Sequence, residues 1–289
     1  MKPSRVLLID CSAVCYRALY TSGHLKTSEG VPSGIVFGFF NILYKLCCNG
    51  RAAHFAFCWD SQQSHRKQLF PEYKGNREHT PEIVEAFKQF KTLRTKILPT
   101  LGFTNNFFKV GYEADDLIAS LCRNDPPNKG QEYCIVSADH DLYQLLTPQV
   151  CMWEPSTKIK KYTYEDFCEQ WQASPYIWGL AKCYAGCRTD GVPGIPGVAE
   201  KTAIKHLTVK PLPRLQSPEA QKIVARNKPL VVLPFASTPK LKLNWRDKPD
   251  YSAFIDMCHE YEFRTFLSRR QIWRDIFNGT VPGRIPHRR

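Results

Sequence analysis

Short, continuous apolar runs alternate with helix-period patterns over the first half of the chain. Val6-Leu7-Leu8-Ile9-Asp10, His54-Phe55-Ala56-Phe57-Cys58-Trp59-Asp60 and Tyr133-Cys134-Ile135-Val136-Ser137-Ala138-Asp139 read as strands buried on both faces, because the apolar part of each is unbroken. Helices are predicted over 35–46, 81–101 and 114–123. The last opens on the acidic turn Glu113-Ala114-Asp115-Asp116, where carboxylates suit the positive end of a helix. Such alternation folds as a mainly parallel sheet with helices on both faces, an α/β class. Ligands of these sheets gather at the carboxyl ends of the strands, and all three runs end in aspartate. From about 164 the pattern turns helical, over 165–171, 176–185, 200–206, 251–269 and 271–277. A Gly/Pro-punctuated turn precedes 200, and a Pro-rich basic segment, 210–249, includes the apolar stretch 230–235.

Composition narrows the class. The 289 residues carry 40 Lys and Arg against 27 Asp and Glu, a net charge of +13, with 43% hydrophobic residues. That excludes a disordered chain, and no apolar run approaches the ~20 residues that span a bilayer. The apolar run behind Met1 is shorter than the roughly 7–15 residues of a secretory signal core, so an intracellular protein is expected. The 12 Cys lie mostly in apolar runs with no CxxC pair, which predicts buried thiols rather than zinc ligands or bridges. Up to residue 200 there are 22 basic against 20 acidic side chains; beyond it, 18 against 7. A basic lobe beside a nearly neutral one suits a polyanion gripped at one end. A merely soluble surface accounts for the charge equally well.

Candidate chemistry sits in the acids. Asp10, Asp60 and Asp139 close separate strands, Asp141 follows Asp139, Glu113, Asp115 and Asp116 open a helix, and Asp190 lies in the Gly/Pro-rich turn. If the sheet brings these together, like charges demand compensation, and divalent cations supply it. Oxygen ligands without a His/Cys cluster favour Mg2+ or Mn2+ over zinc. Two such ions about 3.5–4 Å apart are a common device for displacement at phosphorus.

These residues carry a resemblance. Leu8-Ile9-Asp10, Trp59-Asp60, Pro71-Glu72-Tyr73-Lys74-Gly75-Asn76-Arg77, Gly111-Tyr112-Glu113-Ala114-Asp115-Asp116, Ser137-Ala138-Asp139-His140-Asp141 and Pro193-Gly194-Ile195-Pro196-Gly197-Val198 stand in the order found in the 5′-3′ exonuclease and flap endonuclease family. Over roughly residues 5 to 245 the chain resembles the nuclease domain that bacteria fuse to a DNA polymerase, here as a freestanding member. The resemblance implies a PIN-like parallel-sheet nuclease core over 1–175 with a helical arch at about 62–100. It also implies a mostly helical C-terminal subdomain over 176–280 containing a helix-three-turn-helix element, and a basic tail, 281–289. It implies a first metal site of Asp10, Asp60, Glu113, Asp115, Asp116 and Asp139, and a second of Asp141 and Asp190 with Asp139 between them. Lys74 and Arg77 would act on the scissile phosphate. Tyr16 and Arg17 match an aromatic-basic pair near the 5′ end, although Tyr16 fits a core position as well. The arch would set Arg66, Lys67, Lys74, Arg77, Lys88, Lys91, Arg94 and Lys96 against four glutamates, with Tyr73 to pack or stack.

The turn from Gly191 to Val198 lets backbone amides approach a phosphate at the start of the helix bearing Lys201 and Lys205, with Gly194 and Gly197 giving the freedom needed. The resemblance implies a duplex grip there and a potassium ion on its carbonyls. One position departs: Cys187 stands where the family carries aspartate, and Arg188 adds charge beside it. A thiol is a poor magnesium ligand, so the second ion is expected to bind weakly.

The implied function is a metal-dependent structure-specific 5′ nuclease on DNA with a 5′ flap or end, or an RNA-DNA primer junction, used in primer removal or repair. The implied protein is a monomer working beside a separate DNA polymerase, in a bacterial cytoplasm or that of a phage's host. Two alternatives stay open: a DNA-junction-binding module with weakened catalysis, and an RNA-cleaving toxin-type nuclease, against which the turn at 193–197 counts.

Overall fold

The computed structural model describes residues 4–50, 52–75, 80–155 and 160–280. The chain runs β1 (Ser4–Asp10), α1 (Cys11–Ser22), α2 (Gly34–Gly50), β2 (Ala52–Trp59) and α3 (His65–Leu69). Then α4 (Pro81–Thr92) passes through a π-turn, Leu93–Ile97, into α5 (Leu98–Thr100). There follow β3 (Asn106–Phe108), α6 (Ala114–Asn124), β4 (Gln131–Val136), β5 (Val150–Glu154), β6 (Lys160–Tyr162), α7 (Tyr164–Trp171) and α8 (Trp178–Ala185). A small ribbon, β7 (Gly186–Cys187) and β8 (Val192–Pro193), precedes α9 (Glu200–Thr208), α10 (Pro218–Val231), α11 (Tyr251–Glu260), α12 (Arg264–Leu267) and α13 (Arg270–Phe277).

The main sheet has the order β3-β2-β1-β4-β5-β6, parallel except for β6. The three expected strands are its centre. From β1 the chain works outward on one side to β3, then crosses back to β4 on the other. The carboxyl ends of β1, β2 and β4 therefore flank a topological switch point, where open parallel sheets bind ligands.

Alternation along the strands feeds two cores. Leu7, Ile9, Phe55, Phe57, Cys134 and Val136 face one side, with α1, α2 and α11 to α13. Val6, Leu8, Ala56, Cys58, Tyr133 and Ile135 face the other, with α6 and α8. Residues 176–280 thus share cores with the first 175 rather than enclosing one of their own: Trp273 packs on Phe40 and Tyr44 of α2. All 12 cysteines are free and most are buried, and none of the helices described is long and apolar enough to cross a membrane.

Short β3, β5 and β6 fall outside the sequence expectation, as does α10, which lies in the segment read as Pro-rich and basic. Its signals were local: Ser217 accepts a hydrogen bond from the Ala220 amide, and Pro218 occupies the first turn. The predicted 251–269 helix breaks after Glu260, with Glu262 at φ 57°.

Trp273 is fully buried among Phe40, Phe254, Phe266 and Phe277. Trp273→Ala should lower unfolding stability by about 3–5 kcal/mol, read by urea denaturation; a loss below about 1 kcal/mol would show that the C-terminal helices are not part of the core.

Candidate metal centre and nucleic-acid interface

The carboxyl ends of the three central strands meet in one cleft. Asp10, Asp60, Asp115 and Asp139 line a cavity of 830 Å³ together with Ser12, Tyr16, Lys74 and Ser137. Each aspartate is fixed by backbone or hydroxyl donors. Asp10 caps α1 by accepting from the Ala13 amide at 3.0 Å, and its other oxygen accepts from Ser137 Oγ at 2.9 Å. Asp60 accepts from the Ala114 amide at 2.7 Å, tying β2 to the start of α6. Asp139 accepts from the Asp141 amide at 2.8 Å.

These acids are crowded and dry. Burial, then the neighbouring Asp60, pushes the Asp10 carboxyl up to about 7. Burial and Asp141 push Asp139 up to about 6. Burial and Asp116 raise Asp115 well above the carboxylate range, although Arg66 pulls it back. Among the described residues no Lys or Arg forms an ion pair with Asp10, Asp60 or Asp139. An all-oxygen set of crowded acids, held in place and with no described cation paired to Asp10, Asp60 or Asp139, fits a hard divalent ion.

A second group lies beside it. One ligand atom from each of Asp141, Cys187 and Asp190 falls within 4.8 Å of the others. This set fits an ion less well. Burial, then Asp141 and Asp190, pushes the Cys187 thiol up to about 12, so it is protonated at neutral pH. Lys182, on α8, places its Nζ 3.2 Å from Asp141 Oδ1 and 3.6 Å from Glu200 Oε1.

Lys74 joins the groups. Its Nζ lies 2.8 Å from Glu113 Oε2 and 3.8 Å from Asp190 Oδ1, while its amide donates to the Asp190 carbonyl at 2.8 Å. It occupies the left-handed backbone region, φ 52°, a strain of about 1–3 kcal/mol that the surrounding contacts hold. Burial opposes its charge, but Glu113 and Asp190 raise it nonetheless.

Across Lys74 a second cleft, 740 Å³, shares Tyr16, Asp60 and Lys74 with the first. Lys67, Lys91 and Arg94 line it beside Trp59, Phe87 and Phe108. Residues of α4 wall both clefts. Downstream, α8 and α9 are joined by the ribbon and its turn, where a Cβ on Gly194 would sit 2.1 Å from the Ala185 carbonyl and Gly197 has φ 70°. Lys201 and Lys205 are exposed one turn apart on α9.

The sequence matches, over residues 5–172, the family described as 5′-3′ exonuclease, N-terminal resolvase-like domain. The chain belongs to this 5′-3′ exonuclease family. DNA polymerase I of Bacillus caldotenax is 34% identical over 209 residues, 70% of this chain but 23% of that protein. The chain therefore spans about a quarter of the length of the curated relatives it matches. In fold it is similar to a T5 5′-exonuclease with divalent metal ions (zinc) bound, TM-score 0.62 at 19% identity, covering 80% of this chain and 90% of that one. It is also similar to the catalytic core of Rad2 in complex with DNA substrate, TM-score 0.53 at 14% identity, covering 91% and 89%.

Within this exonuclease fold three expected roles need correction. Arg66 cannot grip DNA and Asp116 cannot serve the cleft, because they are 1% and 0% exposed and bind each other through two hydrogen bonds of 2.6 and 2.7 Å. Arg66 also donates to the Leu230 carbonyl, and Asp116 accepts from the Phe235 amide, so the pair locks α3 and α6 to the end of α10 and the chain after it. Tyr73, buried at 1% exposure, donates to Glu113 and Asp190 instead of stacking on a base. Glu113 is a hub for Ser64, Tyr73 and Lys74, and Lys74 and Arg66 overcome its burial and hold its carboxyl below the usual range. Tyr16 meets Phe87 and Phe90 edge-on while lining both clefts; Arg17 beside it on α1 is half-buried. Arg77 lies outside the described residues.

Two site residues escaped sequence reasoning. Ser137, which orients Asp10 and accepts from the Asp139 amide, was visible only as a polar residue ending an apolar strand. Lys182 was visible as a lone cation on an otherwise apolar helix.

Arg66→Ala would strand Asp116 as an uncompensated buried charge and should cost about 3–5 kcal/mol of stability, measured by denaturant titration; a near-neutral change would mean the pair is solvated. A carboxyl whose folded pKa is raised adds stability below its unfolded value of ~3.9, and this is lost as pH climbs through the folded value. In chelator, Asp10→Asn should therefore gain melting temperature over the unsubstituted protein progressively between roughly pH 4 and 7 and level off above. A pH-independent difference in thermal melts would refute the crowding described for Asp10.

Proposed function

We propose that the protein is a metal-dependent, structure-specific 5′ nuclease that hydrolyses phosphodiester bonds at 5′ ends or flaps of DNA, in primer removal or repair. The observation that carries this is the convergence of Asp10, Asp60, Asp115 and Asp139 in one cleft beside Lys74. Family membership supports it, and so does the likeness in fold to a T5 5′-exonuclease with divalent ions bound and to the catalytic core of Rad2 with DNA substrate.

Asp10, Asp60, Asp115 and Asp139 would hold Mg2+ or Mn2+, which supplies Lewis-acid activation of a water and charge stabilisation at phosphorus. The chain's own contributions follow from its geometry. Lys74, locked by Glu113 and its strained backbone, presents a fixed cation beside the acids and is suited to the charge growing on the scissile phosphate. The cleft beyond it, lined by Lys67, Lys91 and Arg94, suits an unpaired strand, since cations along a groove track its phosphates. Close packing at Gly194 shapes the turn before α9, and Lys201 and Lys205 add charge for duplex backbone; such contacts position a substrate without reading sequence. Binding should weaken steeply with salt.

A second reading, a junction-binding module with weakened catalysis, is favoured by Cys187 and Lys182 in the Asp141 group. A labelled 5′-flap duplex separates the two. Cleavage is expected with Mg2+ or Mn2+, and Asp139→Ala should lose it by at least ~100-fold while binding the flap nearly as well. Tight binding without cleavage in either ion would favour the module, and cleavage by Asp139→Ala at the normal rate would show that the metal centre lies elsewhere.

A further inference from the structure

The two acid groups are neutralised differently. In the Asp10, Asp60 and Asp139 group no described Lys or Arg is paired with any of the three. In the second group each carboxylate already has an ammonium: Lys182 lies 3.2 Å from Asp141, and Lys74 lies 3.8 Å from Asp190. The third member of that group is a thiol, which offers no negative charge. A divalent ion entering there would meet two fixed cations and a neutral sulfur, a donor set that does not suit a hard metal.

Lys182 is held in place. It is 8% exposed, it lies on α8 one turn before Gly186, and Glu200 at the start of α9 forms an ion pair with its ammonium at 3.6 Å. A mobile surface lysine would swing away from an arriving ion. This one is walled by α8, the ribbon and α9.

We propose that the Lys182 ammonium occupies the place of a second divalent ion, so that the protein holds one tightly bound metal, at the Asp10 group, with a built-in cation beside it. The ion count does not depend on the nuclease reading of the preceding section; only its consequence for cleavage does. Two defects then block the second site independently, the missing charge at Cys187 and the extra charge at Lys182, and repair needs both.

The test counts Mn2+ on the full chain without DNA, following free Mn2+ by electron paramagnetic resonance, for the unsubstituted protein, Lys182→Met, Cys187→Asp and the double variant. One tight ion is expected for the unsubstituted protein, with any second at least ~tenfold weaker. Cys187→Asp alone should stay at one tight ion, and the double variant should reach two, a non-additive gain expected where either obstacle alone suffices to block the site. Two ions of similar affinity in the unsubstituted protein would overturn the proposal. So would a full second ion in Cys187→Asp alone, which would make the thiol the sole obstacle. A double variant that stays at one ion while its circular dichroism and melt match the parent would overturn it as well. Should Lys182→Met fail to fold, the unsubstituted and Cys187→Asp counts still decide. Absence of any bound ion in the unsubstituted protein would defeat this proposal and the metal centre together, whereas one ion with no flap cleavage would defeat only the nuclease reading.

Discussion

The structure turns on holding several carboxylates close together in a partly dry cleft, three of them with no cation paired to them among the described residues. Burial disfavours charge on such a group and its members repel one another, and the raised values at Asp10 and Asp139 express both, burial first. The fold tolerates it because each acid is anchored from behind. Helix N-termini, neighbouring amides and the Ser137 hydroxyl fix the oxygens before any ligand arrives, so the cost of gathering them is met by folding. The rest of the protein serves that arrangement. The switch in strand order brings β1, β2 and β4 ends together, and the two cores on either face keep those ends rigid.

A second layer of charge surrounds the cleft. Arg66 pairs with Asp116 and Lys74 with Glu113, and Arg66, Asp116 and Glu113 each have further hydrogen bonds. Buried pairs of this kind add little net stability, but they fix geometry, since losing one partner leaves a stranded charge. Here they connect α3 and the turn at Lys74, the start of α6, and the end of α10 with the segment after it. The acidic turn Glu113 to Asp116 is therefore divided by direction: Asp115 lines the first cleft, Glu113 the second, and Asp116 faces the protein.

That division explains what the sequence could reveal. The central strands were legible because an unbroken apolar run has few alternatives, and the aspartates were legible because each closes such a run. Short β3, β5 and β6 were not, since three to five residues give too little periodicity. The eight acids were recognisable as a set, yet which of them point at the cleft depends on helix phase and on partners distant in sequence. Asp116 meets Arg66 across 50 positions, and Tyr73 meets Asp190 across 117; no local pattern encodes those encounters. The same holds for Arg66 and Tyr73, basic and aromatic residues in an arch motif that invited a nucleic-acid role and instead became the floor beneath it.

Lys182 is the clearest case of information that exists only in three dimensions. Along the chain it is one cation in an apolar helix, a feature that snorkelling to solvent would ordinarily explain. In space it is mostly buried, paired with Glu200 at the start of α9 and with Asp141 after β4. The helices on either side of Cys187, α8 and α9, thus both reach the group that the thiol weakens. A carboxylate replaced by a thiol removes negative charge; a lysine fixed at the same group adds positive charge. Both changes act in one direction, toward a centre that is balanced without a second ion, whereas the Asp10 group a few residues away along the strand ends remains dependent on one.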